Sequence, residues 1–404
     1  MQQKVVIIGH SYTSRLGIIR SISQLRCEIA LIVMTRTKKG GKKLDTRKPI
    51  DCYSKYVNKV FYCARMDSEG LIKLLLEKCI DPEQKVILIP DSDFTVAVVD
   101  NHQDLLKKHF LFPHIHHKQG AIQYWMDKSH QKQLAKEIGL NVAKAQIIDI
   151  TDGQYTIPDN LDYPCYCKPL ATLNGGKGGM RRCGTHEELV AALSLIIKTR
   201  TKNIKVLVED YKEIDKEFAL LGFSDGKEVF IPGIIEFLRV SKQNKGIALQ
   251  GMVKPITGFE ELIEKFKQLV LQIGFVGVFD IDFYNSDGII YFCELNLRFG
   301  GSGYAFTRMG CNLPAMMIKH LIGEDNKEFK RLITANATYT NDKMCFDDWT
   351  FGHINLKELR KSLHSSDIRF IPDPFDKKPE KRFKREIFMR YIKKIVLNNF
   401  SFKH

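Results

Sequence analysis

The 404-residue sequence lacks the features of a membrane-spanning or disulfide-rich protein. No apolar run reaches the roughly 18 residues that a membrane span requires. The ten cysteines are few for this length and none forms a CxxC pair, so a disulfide framework is not expected. The amino-terminal MQQKVVIIGH enters a strand-like run without a signal-peptide pattern. We therefore expect a globular protein of the reducing cytoplasm.

Acidic residues are also in the minority. The chain has 62 Lys and Arg against 47 Asp and Glu, a formal net charge of +15. The excess is uneven, because residues 377–404 hold ten basic and two acidic residues and supply +8 of the total. Residues 36–48 form a second basic run, and the remaining chain is only mildly basic. Charge of this distribution does not predict a nucleic-acid partner.

Alternating strand-like and helix-like segments fill the first ninety residues. Lys4–Ile8 and Lys85–Ile89 are continuous apolar runs, as expected for parallel strands that are buried on both faces. This rhythm predicts a doubly wound sheet, whose ligands lie at the carboxyl ends of its strands. Asp91 and Asp93 follow one such strand and either bind a substrate amine or form the turn. The turn GHSYTSRLG lacks the later glycines of GxGxxG, so dinucleotide binding is not predicted.

Two lysines and a glycine-rich segment are candidates for contacts with phosphate. Lys128 begins a helical pattern, and Lys168 lies in the strand-like YPCYCKPL. The glycine-rich segment NGGKGG contains Asn174, Gly175, Gly176, Lys177 and Gly178. Its flexible backbone could wrap a polyphosphate, and its lysine adds charge. Taken alone, the segment fits an ordinary hairpin tip better, because no Ser or Thr follows Lys177 as in a P-loop.

A hairpin near the end of this region carries carboxylates among apolar residues. Glu294 and Asn296 are two apart on a strand, so their side chains share a face. A loop centred on Gly288 would set Asp282 opposite Glu294. Two carboxylates and an amide oxygen suit Mg²⁺ that is bound together with phosphates. Arg298 continues the same face and could clamp a phosphate oxygen.

The order of these motifs resembles the ATP-grasp superfamily. The resemblance rests on Lys128, Lys168, NGGKGG, LVEDYKEIDKEFAL, Asp282 and ELNLRFGG, and it spans roughly residues 1–325. It is strongest to the branch of carbamoyl-phosphate synthase, biotin carboxylase and carboxylate–amine ligases such as D-aspartate ligase. Two departures are Leu297, where that branch often has proline, and an amino-terminal turn without a run of glycines.

The resemblance implies an α/β fold in three parts. The parts are an amino-terminal doubly wound parallel sheet (1–95), an ATP-grasp domain of two α+β subdomains (96–325) and a carboxy-terminal extension with a basic helix (326–404). Within the ATP-grasp domain, connecting helices would occupy 96–150, a lid subdomain 151–210 and a metal-binding subdomain 211–325.

The resemblance also implies a role for each candidate residue. Lys128 and Lys168 would contact the ATP phosphates, under the closing glycine-rich segment. The hinge at the adenine edge would be Glu209, Asp210, Tyr211 and Lys212, with Glu217 near the ribose. Asp282, Glu294 and Asn296 would hold one or two Mg²⁺, with Mn²⁺ as an alternative, and Arg298 would stabilise the transferring phosphate. Lys254 is a further candidate for ATP contact, and Arg239 is a candidate carboxylate anchor.

The implied activity is an ATP-dependent ligase that joins a small-molecule carboxylate to an amine through an acyl phosphate. One alternative is a carbamoyl-phosphate-type or carboxylase subunit, in which bicarbonate accepts the phosphoryl group. Another is a nucleotide-binding protein without turnover. Related enzymes are often dimers, and a homodimer is an open expectation here.

The basic tail predicts an amphipathic helix over Phe383–Val396. Two interpretations compete. The apolar stripe docks on the body, as in most amphipathic helices, and this one is favoured. Alternatively, residues 383–397 lie on an anionic membrane, which would place the protein peripherally on the inner membrane surface. Pro372, Pro374 and Pro379 would then form a spacer before the helix.

Overall fold

A computed structural model describes residues 2–37, 43–170, 180–199, 203–243 and 246–401. The predicted glycine-rich segment, residues 174–179, lies outside these ranges. Among the helices described, none is long and apolar enough to cross a membrane.

The amino-terminal part is a parallel sheet with helices on both faces, which confirms the predicted doubly wound architecture. Its strand order is β3-β2-β1-β4-β5. The elements are β1 (Lys4–Gly9), α1 (Tyr12–Ile22), β2 (Glu28–Thr35), β3 (Val57–Ala64), α2 (Ser68–Lys78), β4 (Val86–Pro90), α3 (Asp93–Asn101), α4 (Gln103–Leu106) and β5 (Phe110–Leu111). Short 3₁₀ turns lie at Ser23–Leu25 and Ile50–Tyr53.

Helix α1, which follows β1, and helix α3, which follows the neighbouring strand β4, pack on opposite faces of this sheet. On one face, Ile18 and Ile19 of α1 pack with Val5 and Ile7 of β1. On the other face, Val98 of α3 packs with residues of the same strands. The carboxyl ends of β1 and β4 therefore border a crevice where chain direction switches, the usual ligand position in such sheets.

A small antiparallel sheet follows, with strand order β7-β10-β8-β9. The elements from the connecting region onward are β6 (His114–Ile115), α5 (Ala121–Trp125), α6 (Lys128–Glu137), β7 (Ala145–Ile150), β8 (Cys165–Pro169), β9 (Arg181–Cys183), α7 (His186–Thr199) and β10 (Ile204–Asp210). Cys165, Cys167 and Cys183 are buried free thiols in the core of this sheet.

A large mixed sheet completes the fold, in the order β16-β15-β11-β13-β14-β17-β18. Its elements are β11 (Lys216–Asp225), β12 (Val229–Phe230), β13 (Ile234–Val240), β14 (Ala248–Lys254), α8 (Glu260–Ile273), β15 (Phe275–Ser286), β16 (Ile289–Asn296), α9 (Tyr304–Arg308), α10 (Leu313–Leu321), β17 (Ala337–Thr340), α11 (Asp342–Thr350), α12 (Leu356–His364), β18 (Ile368–Arg369) and α13 (Lys377–Ser401), with a 3₁₀ turn at Lys327–Phe329. Strand β6 pairs with β15, and β12 pairs with β11.

The carboxy-terminal extension is built into this body. Strands β17 and β18 extend the large sheet beyond β14. Arg20 of α1 donates hydrogen bonds to the Phe370 and Ile371 carbonyls, each at 2.9 Å, and lies 3.2 Å from the buried Asp376. These contacts fix the chain immediately before α13.

Helix α13 starts earlier than the sequence predicted. It begins at Lys377, so Pro379 lies in its first turn rather than in a spacer. Proline fits there because the N–H groups of a first helical turn have no partner within the helix. Phe383 is buried and Ile387 packs beside it, against a cluster that includes Phe346 and Trp349. The first half of α13 is thus docked on the body.

Candidate functional site

Lys128 and Glu294 form a partly buried ion pair between two elements. Lys128 is the first residue of α6, whose N-cap Asp127 accepts the Ser129 N–H at 2.8 Å. The Lys128 ammonium contacts the Glu294 carboxylate on β16. Burial raises the pKa of Glu294, but Lys128 more than reverses this and lowers it to about 2. The pair joins a predicted phosphate-binding cation directly to a predicted metal ligand.

A second buried cluster surrounds the Glu209 carboxylate. Lys168 of β8 lies 2.5 Å from Glu209, and Lys132 of α6 contacts its other oxygen. All three side chains are at most 8% exposed. Burial lowers the pKa of Lys132 to about 7, and the charge of Lys168 adds to this effect. The resemblance implied contacts from the Glu209 backbone at the hinge, whereas its side chain is held between two lysines.

Sequence reasoning missed Lys132. It lies four residues after Lys128 on the same helix, so both side chains occupy one face. That spacing is a usable signal, but the partner of Lys132 comes from a distant strand.

The remaining hinge candidates follow the end of β10. The Asp210 and Tyr211 N–H groups donate to the carbonyls of Lys144 and Pro164, at 2.9 and 3.0 Å. The Arg182 guanidinium lies 5.0 Å from the centre of the Tyr211 ring. Lys212 lies 5.9 Å from the Tyr291 ring, and Glu217 is half-buried at the start of β11.

The predicted metal ligands meet on the hairpin of β15 and β16. Asp282 pairs with Glu294 in the strand register, which confirms the expected pairing across the Gly288 turn. The Asn296 amide lies 3.5 Å from an Asp282 oxygen. Burial raises the pKa of Asp282, and Asp280 and Glu294 raise it further. Three neighbouring carboxylates thus leave negative charge that a cation would relieve.

These oxygens fit Mg²⁺ by their chemistry. Carboxylate and amide oxygens are the hard ligands that Mg²⁺ takes in proteins, usually together with substrate phosphates. Within the ranges that the structure describes, no three His, Cys, Asp or Glu side chains form a metal site by themselves. The candidate set is therefore two carboxylates and Asn296, and phosphate oxygens would complete the coordination.

Arg298 links this hairpin to the amino-terminal sheet. Its Nε donates to Asp93 at 2.6 Å, and Nη2 donates to Asn296 at 3.3 Å. Asp93 is the first residue of α3, directly after the crevice at the end of β4. Burial lowers the pKa of Arg298, but Asp93 reverses the effect, so its pKa lies above the ordinary value. The crevice and the metal set thus form one site.

Two further carboxylates lie at this junction. Asp280 is 9% exposed, and its Oδ1 has no hydrogen-bond partner among the described residues. Asp91 is 6% exposed; its Oδ1 accepts from the Ser14 hydroxyl, and its Oδ2 likewise has no partner in the described chain. Burial raises the pKa of each to about 7. Asp280 was missed by sequence reasoning, although its alternation with Asp282 places both on one face.

Lys254 and Arg239 contact other groups. Lys254 lies 3.0 Å from Glu236, which also contacts Lys216 at 3.3 Å. Arg239 is exposed and donates to Gln250 and to Ser362 of the extension. These two hydrogen bonds run away from the groups around Glu294.

Sequence comparison identifies the domain that carries this site. Residues 133–315 match the family model described as the ATP-grasp domain. The carbamoyl phosphate synthase large chain of Clostridium botulinum (strain Loch Maree / Type A3) is 28% identical over 184 residues, 44% of this chain and 17% of that protein. Its counterpart from strain Langeland / NCTC 10281 / Type F is 31% identical over 157 residues, 36% and 14% of the two chains. The match thus spans less than a fifth of these relatives.

Solved structures share the fold over most of the chain. The biotin carboxylase domain of 2-oxoglutarate carboxylase from Hydrogenobacter thermophilus, in complex with MgADP, ADP and bicarbonate, has a TM-score of 0.61 at 18% identity, over 84% of this chain and 74% of that one. An L-amino acid ligase from Bacillus licheniformis has a TM-score of 0.61 at 15% identity, over 83% and 79%. N5-carboxyaminoimidazole synthetase from Staphylococcus aureus, with ADP, has a TM-score of 0.61 at 17% identity, over 84% and 83%. Residues 133–315 therefore match the ATP-grasp domain in sequence, and most of the chain shares the fold of these solved structures.

Proposed function

We propose that this protein is an ATP- and Mg²⁺-dependent ligase that activates a carboxylate as an acyl phosphate for attack by an amine. The observation that carries the proposal is the partly buried contact of Lys128 with Glu294, beside Asp282, Asn296 and Arg298. A lysine that suits phosphate, at the start of α6, thereby lies next to side chains that suit Mg²⁺, on the hairpin of β15 and β16. The fold shared with an L-amino acid ligase supports this reaction class.

The chemistry explains why these residue types are required. A carboxylate is a poor acyl donor because its leaving group would be an oxide. Its oxygen attacks the γ-phosphorus, the bond to ADP breaks, and an acyl phosphate forms. The amine nitrogen then attacks the acyl carbon, the bond to phosphate breaks, and the nitrogen loses a proton. Phosphoryl transfer depends mainly on positioning and on stabilisation of the negative oxygens.

Each side chain has a defined task in this scheme. Asp282, Glu294 and Asn296 would hold Mg²⁺, which supplies positive charge to the phosphate oxygens when bound. Lys128, which pairs with Glu294, would contact the phosphates when Glu294 holds the metal. Arg298, oriented by Asp93 and Asn296, contacts the oxygens of the transferring group. Lys168, which pairs with Glu209 of the neighbouring strand, would also contact the phosphates.

A second candidate is a reaction in which bicarbonate accepts the phosphoryl group. It is favoured by the sequence matches to carbamoyl phosphate synthase large chains and by the shared fold with a carboxylase domain in complex with bicarbonate. The two candidates use the same metal set and differ only in the acceptor.

The proposal extends to partners and location. We place the protein in the cytoplasm, with homodimer formation as in the dimeric biotin carboxylase domain. Contact with an anionic membrane through 383–397 is the remaining alternative to a fully docked tail, and Phe388 and Ile392, at 60% and 38% exposure, are the side chains that would enter the interface.

ADP release tests the proposal and separates the candidates. The full chain is assayed with ATP and Mg²⁺ against single and paired amino acids, against bicarbonate with ammonium, and without an acceptor. We expect release that depends on a carboxylate and an amine. ADP release with bicarbonate alone would select the second candidate. Absence of ADP release with every combination of acceptors would contradict both candidates.

Glu294→Gln should abolish this turnover. The substitution removes a charged metal ligand and the partner of Lys128 while keeping the size of the side chain. Glu261→Gln on α8, where Glu261 is 88% exposed, is the matched control and should keep the wild-type rate. Near-normal turnover in the Glu294 variant, with an unchanged unfolding midpoint, would remove Glu294 from the metal set.

A further inference from the structure

The hairpin of β15 and β16 meets the crevice at the carboxyl ends of β1 and β4. At this junction, the buried carboxylates outnumber the cationic side chains that could balance their charge. Arg298 is fixed by Asp93 and Asn296. Within the described residues, the Oδ1 of Asp280 is fully enclosed and has no hydrogen-bond partner. A buried carboxylate oxygen without a partner is unfavourable, so native proteins nearly always supply one. The described part of the chain does not provide this partner, which points to a bound ligand.

Asp280 lies beside the candidate metal set, on the same strand as Asp282. In the register it lies opposite Asn296, one pair further from the hairpin turn than Asp282 and Glu294. The Asp280 side chain packs against Gly300, where any side chain in place of the glycine hydrogen would collide with the carboxylate. This contact places the Asp280 carboxylate beside the segment that directly follows Arg298.

Asp91 adds a second unpartnered carboxylate oxygen from the other domain. It follows β4 at the crevice, and its N–H donates to the Ile8 carbonyl of β1 at 2.8 Å. Its Oδ2 is enclosed and accepts no hydrogen bond from the described residues. Both Asp91 and Asp280 act electrostatically on Arg298. Two buried carboxylates from two domains therefore converge around the arginine that we assign to the transferring phosphate.

We infer that Asp280, assisted by Asp91, binds the positively charged amine of the second substrate. The inference rests on the proposed ligase function and specifies its acceptor. An ammonium donates three hydrogen bonds and carries the charge that the two carboxylates require. It would be held beside Arg298, and it would give one proton to one of the two carboxylates before its nitrogen attacks the activated carboxylate. Substrates with a cationic amine are thereby favoured over neutral nucleophiles.

Asp280→Asn tests the inference, because it removes the charge and keeps the shape. The amine is the amino acid that gives ADP release with the wild-type chain. We expect its KM to rise roughly 10- to 100-fold, as for loss of a charge-assisted hydrogen bond, while the KM for ATP stays unchanged. Hydroxylamine, a neutral nucleophile, should form hydroxamate at the wild-type rate in both chains. Calorimetric titration of the same amino acid, in the presence of a non-hydrolysable ATP analogue, provides a readout independent of turnover.

Two further variants keep the test decisive. Asp287→Asn alters an exposed residue at the tip of the same hairpin and should leave every constant unchanged. Asp91→Asn, in the other domain, should also raise the KM for the amine, which covers the case that the Asp280 variant does not fold. An unchanged KM for the amine in a folded Asp280 variant would overturn the inference while the ligase function stands. Absence of ADP release from the wild-type chain would instead overturn the ligase function, and the inference with it.

Discussion

Lys132 shows how one side chain fixes the positions of two others. The Glu209 carboxylate is shared by Lys132 and Lys168, and all three groups are buried. If Lys132 is removed, Glu209 loses one of its two cations, and Lys168 is drawn further toward the carboxylate. Removal of one partner from a buried charge network is costly, because it leaves uncompensated charge.

We therefore expect Lys132→Met to weaken ATP binding by roughly tenfold, about 1.4 kcal/mol, and to lower the free energy of unfolding. Lys132→Arg should restore most of the affinity because it retains the charge. Lys136→Met, one turn later and exposed, is the matched control. Equilibrium binding of a fluorescent ATP analogue measures the effect, and equal affinities for the Lys132 and Lys136 methionine variants would contradict it.

Asp91 predicts a pH dependence of stability. Burial raises its pKa in the folded chain from 3.8 to about 7, so the folded state holds the proton more tightly than the unfolded state. The stabilising contribution of protonated Asp91 to the free energy of unfolding is therefore fully present below pH 4. It is lost as the pH rises toward 7. The total loss is at most roughly 4 kcal/mol.

Asp91→Asn should remove this loss. Relative to the wild type, its free energy of unfolding should increase between pH 4.5 and pH 7.5, as measured by urea denaturation. A constant difference across that range would show that Asp91 does not titrate there. A gain in stability with a weaker amine interaction would fit the usual opposition between stability and function at buried charged sites.

At the residue scale, the sequence predicts what alternation and a short turn determine. Asp282 and Glu294 are paired as expected, but the turn at Gly288 does not produce this pairing alone. Ser286 pairs with Ile289 at the turn, a register that would set Asp282 opposite Cys293, and a shift between Asp282 and Phe283 makes Glu294 the partner. Asp280 and Lys132 obey the same periodicities, yet their importance depends on which partners a distant strand or domain brings near. Local pattern carries no information about that, which is why both residues were missed.

At the scale of elements, helix α6 positions two of the site lysines and depends on its cap. The Asp127 side chain accepts the Ser129 N–H, immediately beside Lys128. Asp67 caps α2 in the same manner, accepting the Gly70 N–H at 2.8 Å, but that helix lies in the amino-terminal sheet away from the lysines. The two caps form a natural pair for comparison.

Asp127→Ala and Asp67→Ala should each destabilise the chain by about 1 kcal/mol, the usual cost of losing an N-cap. Only the Asp127 variant should also bind ATP more weakly, because fraying of the first turn displaces Lys128. Thermal unfolding and nucleotide binding, measured on both variants, separate the two effects. Equal ATP affinities would show that the cap supports the fold but not the site.

Element boundaries were predicted well where apolar periodicity is strong. The sequence predicts a helix over Glu260–Gln272, and the structure has a helix over Glu260–Ile273, ended by Gly274 in the left-handed conformation. The sequence predicts hairpin strands over Val278–Tyr284 and Ile290–Leu297. The first is longer at both ends, Phe275–Ser286, and the second has the predicted length but is shifted by one residue, Ile289–Asn296. The start of α13 was placed too late, since the sequence signals proline but not its tolerance within a first helical turn.

At the scale of the whole molecule, the carboxy-terminal extension is packed into the body of the protein and is not a separate appendage. Strands β17 and β18 continue the large sheet, and Arg20 fixes residues 370–376 to the first helix of the amino-terminal domain. The sequence pattern made residues 326–404 look like an addition to the fold, because their pairing partners lie far away along the chain. The docked half of α13 follows from the same assembly.

The tail helix offers the last prediction, because two phenylalanines on it have opposite environments. Phe383 is 3% exposed, and its ring lies 5.4 Å from that of Phe346, whereas Phe388 is 60% exposed. Phe383→Ala should therefore lower the free energy of unfolding by about 3 kcal/mol, the lower end for a buried phenylalanine, and Phe388→Ala should change it by less than about 0.5 kcal/mol. Urea denaturation of both full-length variants measures the difference. Equal losses would mean that α13 does not dock through Phe383, and the apolar stripe of the tail would then be free to meet a membrane.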